Sequence, residues 1–471
     1  MDVLMLSRLQ FALTIMFHYL FPPLTIGLSA VIAVLLWRHL RTGDPTYHQA
    51  AHFWTGLFAV NFAIGVATGV VMEFQFGTNW SRYATFVGDI FGSALAAEGI
   101  FAFFLESGFL AVLVFGWDRV SARTHFVSAV LVAVGSVFSA VWIIVANSWQ
   151  QTPAGYRLVG EGAARHAEIT GFWDAVLNPS TVGRLLHTLN GAYVLGAFFV
   201  LSISAWYLLH GRHEEFARRS FSVALPFAAL FSVLLLLTGD QSARVVARYQ
   251  PAKLAAMEGH FRDGPADLHL LGVPLEREHR VAFGVGVPGG LSLMLHGRPD
   301  APVPGLDSVA PADRPPVAVP FHAFHAMVGL GTAFVLLTLY GLWQHRRGAL
   351  FRRRWLLWVF VLAVVGPYAT NQLGWVVAEA GRQPWTVYGL LRTEHSFSPA
   401  VSADQILSSV ILFGLVYVGL GLVWIYVMNA KIQAGPPAEE APGPARGEDL
   451  LDVAAAYEEP GRGHLARGGR A

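Results

Sequence analysis

From Gly88 to Arg119 the chain reads GDIFGSALAAEGIFAFFLESGFLAVLVFGWDR. Between Asp89 and Asp118 the only charged residues are Glu98 and Glu106. The run is longer than the ~20 helical residues that cross a ~30 Å hydrocarbon core. A helix here spans a membrane, and its two carboxyls are the exceptions that need a reason, because an ionisable group at membrane depth is costly. As an α-helix the pair would lie ~12 Å apart along the axis and within ~80° around it. Asp118, Glu106 and Glu98 then descend in order into the membrane, the arrangement of a proton relay, with Ser107, Ser136 and Ser139 as candidates to help bridge the gaps.

The rest of the chain repeats the pattern. Apolar runs near 10–37, 53–77, 90–117, 124–147, 183–209, 219–238, 318–343, 355–379 and 404–429 predict an all-α integral membrane protein with about nine transmembrane helices in a bundle. Its 471 residues are 54% hydrophobic and 13% charged, about half the charge density of a soluble domain, and the formal charge of +1 offers no basic face for nucleic acid. With no Cys, disulfides, thiolate metal sites and covalent haem attachment are excluded, so any metal or haem must be held by His, Met or carboxylate. The first run continues past Pro22-Pro23 for a full span without a small-residue cleavage site, which argues against a cleavable signal peptide.

Arginines set the orientation. Arg38 and Arg41, Arg119 and Arg123, Arg212, Arg218 and Arg219, and the group Arg346, Arg347 and Arg352 to Arg354 fall in alternate loops on one side. That side is expected to be cytoplasmic, with the N-terminus outside and the C-terminus inside. Residues 1–238 then hold helices 1–6, 239–319 form a polar outward loop, 320–432 hold helices 7–9, and 433–471 form a disordered cytoplasmic tail rich in Ala, Gly, Pro and charge.

Ionisable or ligating side chains within spans are few: His18, Glu73, Glu98, Glu106, His187, His322, His325, Met327 and Glu379. His18, Glu98, His187, Met327 and Glu379 all fall in the outer half of the membrane. A lone membrane His also serves as an interhelical hydrogen bond, and a lone Met as a gap-filler. Five candidate ligands at similar depth on different helices instead suit two or three haem plates side by side.

The segments SRLQFALTIMFHYLF (7–21), GVATGVVMEFQFGTNW (65–80), GDIFGSALAAEGIFAFFLES (88–107), FGWDR (115–119), LLHTLNGAY (185–193) and VVAEAGRQPW (376–385) resemble subunit I of the cytochrome bd-type quinol oxidases, over nearly the whole membrane part. The resemblance implies a multi-pass protein of the bacterial cytoplasmic (inner) membrane. It would carry haems that take electrons from quinol and reduce O2 to water, generating a proton gradient without pumping. His187 and Met327 match the axial ligands of a low-spin haem b; His18 and Glu379 match the ligands of two high-spin haems, a haem b and a haem d. Glu98 lies beside the oxygen-reducing one. Which of His18 and Glu379 serves haem d stays open, as does a third haem b in its place.

Arg8 and Arg382, at the outer boundary, suit haem propionates, and Trp375 is placed to pack on a macrocycle edge. In the outward loop KLAAMEGHF (253–261) resembles the family's quinol-binding segment, which makes Lys253 and Glu258 quinol-site residues. The loop is of the family's short kind, and His325 stands where the family usually has Arg, two residues before Met327. Expected partners are a homologous membrane subunit II and a small single-span subunit, besides quinol, ubiquinol or menaquinol, and O2. The alternatives are an oxidase of the family with only b-type haems, a membrane electron-transfer cytochrome b, or a transporter without haem.

Overall fold

The computed structural model describes residues 2–437; most of the tail expected at 433–471 lies outside the described residues. Among them, nine helical runs are long and apolar enough to cross a membrane. The first is broken into α1 (Val3–His18) and α2 (Pro22–Thr42), where one continuous span was expected. Pro22 and Pro23 open the second half because proline lacks the N–H and clashes with the preceding turn, which suits it to a helix start. Next come α3 (Pro45–Asn79), then α4 (Ser81–Ala97) joined to α5 (Phe104–Phe115) through a π-helical segment at Glu98–Phe103, and α6 (Ala122–Gln151).

An outward connection with β1 (Tyr156–Val159), β2 (His166–Ile169) and α7 (Phe172–Val176) leads to α8 (Thr181–Leu209) and α9 (Glu214–Tyr249). The apolar run of this sixth span ends near Leu237, but the helix continues beyond the boundary at 238. No proline lies between Leu237 and Pro251, and an Asp240–Arg244 pair at 2.8 Å braces the polar turns. The outward loop is then built from α10 (Pro251–Glu258), β3 (Gly264–Pro265), β4 (Leu268–Leu275), β5 (Arg280–Val287), α11 (Gly290–His296) and β6 (Pro302–Val303). The chain ends in α12 (Ala318–Arg346), α13 (Arg354–Ala363), α14 (Val365–Ala380), β7 (Trp385–Val387), β8 (Leu391–Arg392) and α15 (Ala403–Ala434). Among the described residues, strands occur only as four two-stranded antiparallel pairs in the connections, so the spanning part is all helix, as the unsatisfied backbone of an open sheet would demand in lipid.

α8 is the buried centre, with 83% of its apolar window inside the protein against 11% for α15 at the edge. α8 packs on α9, α9 on α12, α12 on α14 and α14 on α8, which sets α8 and α12 on a diagonal. α2 joins this bundle to the remaining helices by crossing α8 at Gly27 and Gly196. A Cβ on Gly27 would lie 2.2 Å from Ala192 O, and one on Gly196 would lie 2.3 Å from the Gly27 carbonyl carbon. Gly196→Ala should therefore lower the thermal unfolding midpoint of the solubilised protein, an overpacking loss of about 1–3 kcal/mol or more. An unchanged midpoint would mean that the two backbones do not cross this closely.

Candidate functional site

His187 on α8 and Met327 on α12 enter the bundle from diagonal helices. The His187 Nδ1 lies 3.3 Å from Thr238 Oγ1 on α9, and Asn190 Nδ2 donates to the same hydroxyl at 3.3 Å. Glycines keep the space beside both residues small-walled: a Cβ on Gly239 would lie 3.4 Å from His187 Cε1, and one on Gly374 would lie 3.6 Å from Met327 Sδ. Toward the other end of the bundle Phe198 and Phe334 meet at 5.1 Å between centroids and close the diagonal. A neutral imidazole and a thioether facing a glycine-walled interior fit a flat macrocycle better than a bare cation. Among the described residues no group of three or more His, Cys, Asp or Glu could hold a metal ion.

His325 is directed elsewhere. It stacks on Phe321 at 4.0 Å, with Nδ1 2.8 Å from Phe321 O and Nε2 2.8 Å from His269 O in β4. The helical offset of ~200° between positions 325 and 327 thus separates a loop-facing imidazole from a bundle-facing sulfur.

At the end of α1, His18 Nδ1 lies 2.9 Å from Thr68 Oγ1, and a Cβ on Gly69 would lie 3.2 Å from its ring. The broken turn behind it rests on α14, through Tyr19 edge-on to Trp375 at 5.2 Å and Gln372 Nε2 donating to Met16 O at 2.8 Å. One helical turn beyond Trp375, Glu379 accepts from Asn147 Nδ2 at 3.1 Å and is ion-paired with Arg382. Arg382 is 4% exposed and donates to Gln150 Oε1 at 3.0 Å and to Trp385 O at 3.2 Å. Arg184, one turn before His187, bonds Asn147 Oδ1, while its buried Nε has no partner among the described residues. An orphaned buried guanidinium N–H pointing into this layer suits an incoming carboxylate such as a propionate. Arg8 is exposed on the first turns of α1, with no bond to this network.

Lys253 belongs to the same network. Its Nζ donates to Gln151 Oε1 and to Ala378 O, both at 3.0 Å. Burial holds its ammonium well below the usual lysine range, with Arg184 acting in the same direction and Glu379 opposing. Glu258 lies five residues on and ~140° around the same helix, so it faces a different environment. Its Oε2 is buried without a partner, and burial pushes its carboxyl up to about 8. The β4–β5 hairpin covers it, with His269 Nδ1 3.3 Å from the Glu258 carbonyl oxygen.

The third element is the carboxylate ladder. Ser139 Oγ donates to Glu98 Oε1 at 2.8 Å, and Ser136 donates to Glu106, which is 6% exposed. Because a π turn advances fewer degrees per residue than an α turn, the segment after Glu98 reduces the ~80° offset that a plain α-helix would leave. Both carboxyls thereby face α6. Close approach is possible because residue 135 is glycine; a Cβ there would lie 3.0 Å from Glu106 Cβ. Asp118 is exposed in the turn between α5 and α6.

Sequence reasoning did not single out Asn147, Gln150, Gln151 or Arg184. Arg184 carried a usable signal, one turn from a candidate ligand on the same helix face; the three amides at the end of the fourth span resemble any interfacial polar cap.

A family model described as cytochrome bd terminal oxidase subunit I matches residues 6–436. The chain is 36% identical over 512 residues to the cytochrome bd-II ubiquinol oxidase subunit 1 of Escherichia coli (strain K12), covering 94% of this chain and 99% of that protein. It is 32% identical over 453 residues to a putative cytochrome bd menaquinol oxidase subunit I of Bacillus subtilis (strain 168), covering 93% and 99%. Among solved structures, the bd oxidase from Geobacillus thermodenitrificans superposes with a TM-score of 0.87 at 30% identity, covering 92% of this chain and 99% of that one. With nine apolar helices and these relatives, the protein is a multi-pass protein of the bacterial inner membrane. An all-helical fold, a matching family model over nearly all of its length and relatives of full length lead to one conclusion, that the chain belongs to the cytochrome bd terminal oxidase subunit I family.

Proposed function

We propose that this chain is the haem-carrying subunit of a terminal oxidase that oxidises membrane quinol at its outward face and reduces O2 to water with protons drawn from the cytoplasm. The observation that carries the reading is a polar asymmetry. The quinol-type segment α10 is pinned by Lys253 to the Glu379 layer at one end of the bundle, while the Glu98–Glu106 ladder runs toward the other. Family membership implies haem cofactors and a second subunit. We assign His187 and Met327 to a low-spin haem b and His18 and Glu379 to two high-spin haems, one of them haem d or a third haem b. Trp375 would pack on a macrocycle edge and Arg8, Arg382 and Arg184 are offered to propionates. When bound, the haems supply the one-electron steps between a two-electron donor and a four-electron acceptor.

The chain's own residues supply protons and position. Glu258, a buried carboxyl with an unpartnered oxygen, takes a proton from the quinol hydroxyl and releases it outward. Lys253 holds the segment against α14 rather than meeting the quinol with its ammonium. Glu106 and Glu98, hydrogen-bonded to hydroxyls instead of cations, can pass a proton inward without first breaking an ion pair. Electrons thus enter from one side and protons for water from the other, which separates charge without a pump. Residues 239–319 serve as the quinol loop, and a small single-span subunit is a further expected partner.

Met327→Leu should remove the low-spin absorbance signature and lower the potential of that haem while the other two persist; His325→Ala should leave the signature in place. The reverse result would reassign the ligand to His325.

Glu258→Ala should cut quinol-driven turnover yet spare oxygen consumption driven by a small artificial reductant, and equal losses with both donors would point to a folding defect. Its titration gives a second readout. Glu258 is raised from 4.5 to about 8, so between those pH values the folded chain holds a proton that the unfolded chain has lost. This contribution to stability falls as pH rises through that window and levels off above about 8. Glu258→Gln should therefore raise the unfolding midpoint more at pH 8 than at pH 5; an equal gain at both would remove Glu258 as the titrating group.

Glu106→Gln keeps the hydrogen-bonding shape but cannot carry a proton. It should slow steady-state oxygen reduction per haem in vesicles at near-normal haem content, whereas Glu98→Gln should also disturb the neighbouring haem spectrum. Wild-type turnover and cytoplasmic proton uptake in Glu106→Gln would exclude this route.

A further inference from the structure

The outward hairpin of β4 and β5 carries its charges at one end. Its turn, Glu276 to Arg280, reads EREHR, while the strand residues 268–275 and 281–287 hold no Asp, Glu, Lys or Arg. Apolar side chains stand exposed along both strands: Leu270, Leu271 and Val273 on β4, and Phe283, Val285 and Val287 on β5. Phe283 is 91% exposed. Between the pairs Leu271–Val285 and Val273–Ala282 the strands fall out of step, so that Phe283 and Gly284 face Gly272, and Phe283 takes a φ of 51°. That left-handed conformation is costly for a bulky residue. The largest apolar side chain of the hairpin is thus held outward at an energetic cost, which calls for a surface to meet it.

The hairpin descends along α12. At its turn, Glu276 Oε1 accepts from Val317 N at 3.0 Å and from Ala318 N at 3.1 Å; near its open end, His325 Nε2 lies 2.8 Å from His269 O. Positions 318 and 325 are ~10 Å apart along the helix axis. α12 enters the membrane from this end, so the charged turn stands outermost and the apolar strands reach ~10 Å nearer the bilayer. Below His325, Val328, Leu336 and Leu339 are exposed at helical spacing on the same side of α12, as part of the lipid-facing belt of a spanning helix.

We propose that the β4–β5 hairpin is seated in the membrane surface, with the apolar side chains around Phe283 resting among the headgroups and upper acyl chains of the outer leaflet. The surface that meets them is lipid. The hairpin continues the exposed apolar stripe of α12 upward, and its charge changes along the membrane normal, as in elements that lie in the bilayer interface; a protein partner would impose no such direction. Open strand edges of a two-stranded ribbon need water for their N–H and C=O groups, which limits the seating to the interface rather than the hydrocarbon centre. The seating rests on the spans and not on the quinol reading. Its consequence for function does rest on that reading: His269 Nδ1 lies 3.3 Å from the Glu258 carbonyl oxygen, so a lipid-seated hairpin holds the Glu258 segment where a lipid-soluble quinol arrives.

The chain has no Cys, so Arg277→Cys, Phe283→Cys and Val287→Cys can each carry a single thiol-reactive nitroxide in the assembled, haem-loaded oxidase. The labelled protein is placed in phosphatidylethanolamine and phosphatidylglycerol vesicles, and wild-type oxidase taken through the same labelling subtracts thiols of other subunits. Spin relaxation then reads collisions with molecular oxygen, which concentrates in lipid, and with a water-soluble nickel chelate. The label at 277 should meet nickel freely, while those at 283 and 287 should lose most nickel collisions and gain oxygen collisions. Equal access of nickel to all three positions puts the hairpin in water and overturns the proposal. Exclusion of both probes at 283 and 287 puts protein there, a second copy or another subunit, and overturns it as well. Phe283→Asp tests the functional consequence, at an exposed position whose left-handed backbone Asp accepts more readily than Phe. Haem content should be retained and the KM for a long-tailed quinol should rise severalfold at unchanged kcat, with oxygen reduction driven by a small water-soluble reductant spared. A wild-type KM beside lipid-seated labels, or an equal loss with both donors, overturns the role in quinol entry and leaves the seating standing.

Discussion

Holding the half-buried Glu379 carboxylate at the end of a membrane helix organises the outer layer of this protein. A carboxylate removed from water costs several kcal/mol unless other groups replace its hydration. Here Arg382 pairs with it, Asn147 donates to it, and Arg184 and Lys253 bring two more cations into the same network. These residues come from α6, α8, α10 and α14 and from the connection after α14, so satisfying one charge fixes the mutual positions of four helices. Lys253 extends the constraint beyond the membrane. Through its bond to Ala378 O, the outward segment carrying Glu258 is docked next to the candidate haem-ligand helix.

The opposite end is built on another principle. Glu98 and Glu106 meet serine hydroxyls rather than guanidinium groups. A carboxylate clamped by arginine is a fixed charge, while one held by a hydroxyl can change protonation state without leaving a cation unpaired. The same chain therefore uses carboxylates as anchors on one side and as carriers on the other. Irregular backbone accompanies both: α1 breaks immediately after His18, and the π segment begins at Glu98. Such breaks survive in a membrane only where protein or cavity satisfies the freed backbone groups. Their position at candidate site residues is consistent with that rule.

The two sides are joined by the tight crossing of α2 and α8 at Gly27 and Gly196, which transmits little play between the first group of helices and the bundle of α8, α9, α12 and α14. His325 ties the outward hairpin to α12 by its bond to the His269 carbonyl. The bonds that fasten the loop include one to α12 and one to α14, with Glu258 between them along the chain.

Much of this was legible from residue types alone. Apolar length fixes the number of spans, because no other arrangement hides so many consecutive apolar residues and pairs their backbone. The rarity of intramembrane His, Met and Glu marks His18, His187, Met327, Glu98, Glu106 and Glu379 without any contact being known. Ser136 and Ser139 were accessible too, as hydroxyls on a neighbouring span at matching depth. Tertiary structure alone decided which polar groups meet. Lys253 and Glu258 look like a pair in sequence, yet helical rotation sends one to the Glu379 network and the other beneath a hairpin. The apolar run of the sixth span stops near Leu237 but its helix does not, because helix formation follows backbone hydrogen bonding and ion pairs after the hydrophobic signal has ended. Arg184 and Asn147 are distant in sequence and ordinary in type. Only packing brings their side chains within reach of one another, and no local pattern records it.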